Sequence, residues 1–122
     1  MQERRKYIRY DIEGNAILKT RVDASGSIKG DLVNIGFEGM SVSVQEKIAE
    51  GSDISFELTT KLYDKPIIGE GKVVYVAEDT VSNSNVFRIG VEFIHIDKKA
   101  IQYILVRIQE DICAEARKKR AT

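Results

Sequence analysis

Val86-Phe87-Arg88-Ile89-Gly90-Val91-Glu92-Phe93-Ile94 sets Phe87, Ile89, Val91 and Phe93 on one side, with charged residues and a glycine between them. Apolar residues at every second position suit a half-buried strand, because successive side chains point to opposite faces. Just downstream the period changes. Ile101, Ile104, Leu105, Ile108 and Ile112 recur at spacings of three and four, which predicts an amphipathic helix. Asp97 is its expected N-cap, the helix runs to about Lys119, and Lys118-Lys119-Arg120 suits the negative end of the helix dipole.

Upstream, the two-residue period recurs. Gly14 to Val22 reads as a first strand, Asp23 to Ser27 as a turn, and Ser27 to Val33 as a second strand. Met40-Ser41-Val42-Ser43-Val44 alternates cleanly, and Ile54, Phe56 and Leu58 alternate with Ser55, Glu57 and Thr59. Tyr63-Asp64-Lys65-Pro66 is expected to turn the chain into a long strand over Ile67 to Ala77. Gly69 and Gly71 within that strand mark a bulge or bend. Thr80 to Asn85 reads as a polar turn. The sum is about six strands joined by hairpins and one terminal helix, which favours a small antiparallel barrel over a parallel α/β sheet.

At 122 residues the chain holds one domain, expected as an N-terminal arm over 1–13, a barrel over 14–96 and a helix over 97–120. Lys and Arg together number 19, as do Asp and Glu, so global charge predicts no polyanion partner and anion binding must come from local clustering. One cysteine, Cys113, excludes an internal disulfide and a cysteine-based metal site, and it is expected to be packed. One histidine, His95, excludes a multi-histidine site and reads as a boundary residue, so no metal or cofactor is expected. No apolar run approaches the roughly 20 residues of a membrane helix, and the basic N-terminus lacks the core of a signal peptide. The expectation is a cytoplasmic chain without membrane insertion. No nucleophile has a base beside it, so the sequence predicts no enzyme.

Two phrases carry the chemistry. Arg4-Arg5-Lys6-Tyr7-Ile8-Arg9 clusters four cations against Glu3 and Asp11. Asn34-Ile35-Gly36-Phe37-Glu38-Gly39 is a glycine-punctuated loop with a polar side chain at its entrance. Arginine forks match guanine O6 and N7 with two parallel hydrogen bonds and also grip phosphate, whereas lysine offers only a point charge. The asparagine carbonyl accepts from guanine N–H groups. Each phrase also has a bland reading: a solvated basic tail for the first, turn chemistry needing positive φ at Asn34 and Gly39 for the second.

In order and spacing these phrases resemble the PilZ domain, a bacterial receptor module for cyclic di-GMP. The family pattern is Arg-x-x-x-Arg followed by Asp/Asn-x-Ser-x-x-Gly. Arg5 to Arg9 match the first part, with Arg4 in front, and Asn34 to Gly39 match the second with Gly36 in place of serine. Gly69 to Tyr75 and Ile89 to Phe93 resemble the family's barrel-closing strands, so the likeness covers nearly the whole chain. It implies a six-stranded antiparallel β-barrel with a C-terminal α-helix. It implies that Arg4, Arg5, Arg9, Asn34, Gly36 and Gly39 bind cyclic di-GMP, with Arg4 a further grip suited to a paired ligand. A hydroxyl missing at position 36 is expected to weaken binding by about tenfold, the worth of one neutral hydrogen bond.

The resemblance further implies a signalling role, in which ligand orders the arm and the arm meets a downstream protein partner, the chain being a monomer or weak dimer. One alternative is a barrel that no longer binds nucleotide and serves as a protein-interaction adaptor. Another is a binder of single-stranded RNA or DNA. That last reading is disfavoured, because such barrels lay aromatics along a basic groove, whereas here they alternate toward the inferred core.

Overall fold

The computed structural model describes residues 8–20, 26–81 and 84–121, with the side chains of 79–85 and 118–121 left aside. Six strands follow in order: β1 (Tyr10–Thr20), β2 (Ile28–Ile35), β3 (Gly39–Val44), β4 (Asp53–Thr60), β5 (Tyr63–Val81) and β6 (Ser84–His95). The helix α1 (Lys98–Ala121) closes the chain. All pairings are antiparallel, and the order β1-β2-β3-β6-β5-β4 returns to β1, so the sheet is a closed barrel with no free edge.

Alternation fills the barrel. Leu18, Met40, Val42, Val44, Ile54, Leu58, Val73, Ile89 and Val91 are buried inside it. Ala100, Ile101, Ile104 and Ile108 of α1 are buried too, where the helix packs against β5 and β1. Each such isoleucine contributes about 1.5–3 kcal/mol through burial. The helix starts where the sequence predicts: Asp97 Oδ1 accepts from the backbone N–H of Lys99 at 3.0 Å and of Ala100 at 3.3 Å. Among the described residues, no helix is long and apolar enough to cross a membrane.

Several expected boundaries move. β1 begins at Tyr10, inside the span assigned to the arm, because Tyr10 and Asp11 already pair with Ile35 and Asn34. The turn expected over Tyr63–Pro66 sits at Lys61–Leu62, and Pro66 lies within β5. Proline is tolerated there because the ladder is irregular: Leu58 pairs with Ile67 and Thr60 with Tyr63, leaving Pro66 without a partner in the β4–β5 register. The polar stretch Thr80 to Asn85 is mostly strand, since Thr80 pairs with Asn85 and Val81 with Ser84. Backbone pairing there overrides side-chain polarity. Ile112 is 53% exposed and Cys113 is exposed rather than packed, because α1 outruns the barrel and residues 111–117 face solvent. The expected turn over Asp23 to Ser27 falls largely outside the described residues.

Candidate ligand-binding face

The candidate residues gather on the outer wall of the barrel. In β3, Met40 and Val42 point inward, which turns Gly39, Ser41 and Ser43 outward. Register then fixes a row across the wall. Asp11 on β1 faces Asn34 on β2, Asn34 faces Ser41 on β3, Ser41 faces Gly90 on β6, and Gly90 faces Tyr75 on β5. Bulges make the row possible. One extra residue in β2, between Leu32 and Asn34, and one in β5, between Val73 and Tyr75, shift the alternation.

Ser41 faces outward yet is fully buried, because two side chains close over it. Arg9 Nη1 donates to Ser41 Oγ at 3.0 Å, and Ser41 Oγ shares a hydrogen bond with Tyr75 Oη at 2.7 Å. The Tyr75 ring lies across Gly90, so close that a Cβ at Gly90 would collide with Cδ1, Cε1 and Cζ of the ring. Arg9 itself runs along the 36–39 loop. A Cβ added at Gly36 would stand 2.9 Å from the Ile8 carbonyl oxygen and 3.0 Å from Arg9 Cγ. One added at Gly39 would stand 2.5 Å from the Val91 carbonyl oxygen and 2.9 Å from Arg9 Nη2. The two glycines thus form a trough that seats the arginine.

The loop is held from beneath and beside. The Gly36 N–H donates to the Gly39 carbonyl at 2.8 Å, and the Phe93 N–H donates to the Glu38 carbonyl at 2.8 Å. Lys98, in the first turn of α1, donates from Nζ to the Phe37 carbonyl at 3.0 Å and sits 4.7 Å from the Phe37 ring centre. One polar atom is left over. Asn34 Oδ1 is buried and has no hydrogen-bond partner among the described residues. An unpaired buried acceptor costs about 1–3 kcal/mol, so this atom calls for a donor that the described residues do not supply.

Of the residues singled out from sequence, Arg9, Asn34, Gly36 and Gly39 come together on this face, while Arg4 and Arg5 lie outside the described residues. One expectation changes. Gly39 is needed for close approach and not for positive φ; among the described glycines only Gly51 has positive φ, at 88°. Gly36 is buried and its N–H is bonded. Ser41 and Tyr75 were not legible as site residues. Simple alternation places Tyr75 on the same side as Val73, and only the bulge at Val74 turns it outward.

A separate feature is a groove of about 600 Å³ between the start of β1, the β4–β5 turn and α1. Asp11, Glu13, Asp111 and Glu115 line it against Arg9 and Lys61. Four carboxylates against two cations repel an anionic ligand, so the groove is not assigned to one.

The sequence model of the PilZ domain family matches residues 3–109. The fold is similar to the PilZ domain of YcgR from Escherichia coli, solved with c-di-GMP, at 15% identity. That match covers 95% of this chain and 99% of the other, with a TM-score of 0.74. It is similar to the K. pneumonia MrkH–c-di-GMP complex at 17% identity, over 98% of this chain and 57% of the other, with a TM-score of 0.74. It is also similar to the Bacillus subtilis inhibitor of motility at 18% identity, over 87% of this chain and 52% of the other, with a TM-score of 0.68. The chain therefore spans little more than half the length of the last two proteins. No curated protein matches it by sequence.

Proposed function

The chain belongs to the PilZ domain family, and on that premise we propose that it is a receptor for cyclic di-GMP. The observation that carries this reading is that Arg9 is bound to Ser41, the register neighbour of Asn34, whose buried Oδ1 has no partner among the described residues. A ligand that fits must bring N–H donors and negative charge within a few ångströms of each other. A guanine beside a phosphodiester does so: its N–H groups answer Asn34, and its O6, N7 or the phosphate answers the guanidinium. The c-di-GMP complexes of YcgR and MrkH share the fold and support the choice of ligand.

In this reading Arg9 and Asn34 contact the ligand, Gly36 and Gly39 let the arginine and the ligand approach the backbone, and Arg4 and Arg5 add grips. Their engagement presents an altered N-terminal surface to a protein partner, so the chain acts as a relay and not as a catalyst. The receptor reading is favoured over the adaptor alternative by Gly36, which leaves room for Arg9 beside the loop and does more than lack a hydroxyl.

Isothermal titration with cyclic di-GMP tests the proposal. Saturable binding is expected, and Arg9→Ala is expected to weaken it tenfold or more, since a charge-assisted hydrogen bond contributes about 1.5–3 kcal/mol. No binding by the unaltered chain at high micromolar ligand would overturn the receptor reading and return the adaptor.

A further inference from the structure

We propose that Ser41 and Tyr75 are positioning residues that hold Arg9 ready for the ligand, and that their hydroxyls replace the one absent at position 36. This inference rests on the receptor reading and deepens it. Arg9 Cγ and the Ile8 carbonyl oxygen occupy the space over Gly36 that a side chain would need, so a serine there is incompatible with this course of the arm. The hydroxyl reaches the site from another strand instead. Ser41 is the register partner of Asn34 and takes a hydrogen bond from Arg9 Nη1.

Tyr75 completes the arrangement. Its ring is laid over Gly90, where any other residue would displace it, and its Oη holds Ser41 Oγ at 2.7 Å. A proton count shows what the pair retains. Two hydroxyls carry two protons, and their shared bond uses one of them whichever group donates. Ser41 accepts from Arg9 and is fully buried, so when it donates in turn to Tyr75 Oη the tyrosine proton is left for an acceptor such as a phosphate oxygen. The neighbouring guanidinium polarises the chain of hydrogen bonds and strengthens that donor. A fixed Arg9 also spares the ligand part of the cost of ordering a long side chain.

The test is a double-mutant cycle on affinity, read by titration with cyclic di-GMP, with melting temperature as the control for folding. Ser41→Ala is expected to weaken binding about tenfold, and Tyr75→Phe, which keeps the ring, about two- to tenfold. Both effects should fall below about twofold in an Arg9→Ala background, because the two residues act through Arg9. A merely structural role would shift the melting temperature without that coupling. Affinities within about twofold of the unaltered chain would overturn the inference. So would a loss that persists undiminished without Arg9, or a gain in affinity, which would mean that the tie competes with the ligand. If the unaltered chain binds and no coupling is found, this inference alone fails. If the unaltered chain does not bind, the receptor reading falls and takes this inference with it.

Discussion

In the proposed receptor, Asn34 is the residue whose replacement distinguishes ligand binding from folding. Its Oδ1 is buried without a partner among the described residues, so removing it relieves a desolvation cost in the ligand-free protein. Asn34→Ala is therefore expected to leave the ligand-free melting temperature unchanged or higher, while lowering affinity for cyclic di-GMP about tenfold. Scanning calorimetry and titration on the same sample check both halves. Gly39 behaves in the opposite way. A methyl there meets the Val91 carbonyl oxygen and Arg9 Nη2, so Gly39→Ala should cost about 1–3 kcal/mol of stability and displace Arg9. Urea unfolding measures the first effect and ligand affinity the second. The spacing in the chain marked Arg9, Asn34, Gly36 and Gly39 as candidates. It did not show how the two glycines shape this face, because that depends on what lies over them: Arg9 comes from the stretch before β1 and the Val91 carbonyl from β6.

At the scale of the element, α1 divides into a packed half and a projecting half. Ile104 is fully buried, whereas Ile112, two turns on, is 53% exposed. Ile104→Ala should cost about 2–5 kcal/mol, and Ile112→Ala should stay within about 0.5 kcal/mol. Thermal melts of the two variants check the contrast, and equal losses would show that the far half of the helix is packed too. The isoleucine period made the helix legible, but periodicity cannot say where the partner surface stops. Cys113 was misplaced for the same reason. The strand boundaries that moved share another cause: the ladder irregularity around Pro66 and the pairing of Thr80 with Asn85 are backbone events, with little trace in side-chain type.

For the molecule as a whole, electrostatics is local. Equal numbers of basic and acidic residues give no net attraction for a dinucleotide with two negative charges. Affinity should then depend on short-range contacts on the outer wall. Raising salt from about 0.1 to about 1 M shortens the Debye length from about 10 to about 3 Å. That change is expected to weaken binding by a few-fold only, with a shallower slope in Arg9→Ala. Titrations across a salt series measure it, and a loss of several orders of magnitude would point to long-range attraction instead. The closed architecture was legible from the count and spacing of strands, since six antiparallel strands joined mostly by hairpins have few other ways to cover both edges of the sheet.

Arg9 immediately precedes Tyr10, and the strand that begins there pairs with β2 on one side and β4 on the other, sealing the cylinder. Whatever displaces this arginine therefore acts on the first residue of the stave that shuts the cask, whose hydrogen bonds run to both neighbouring staves.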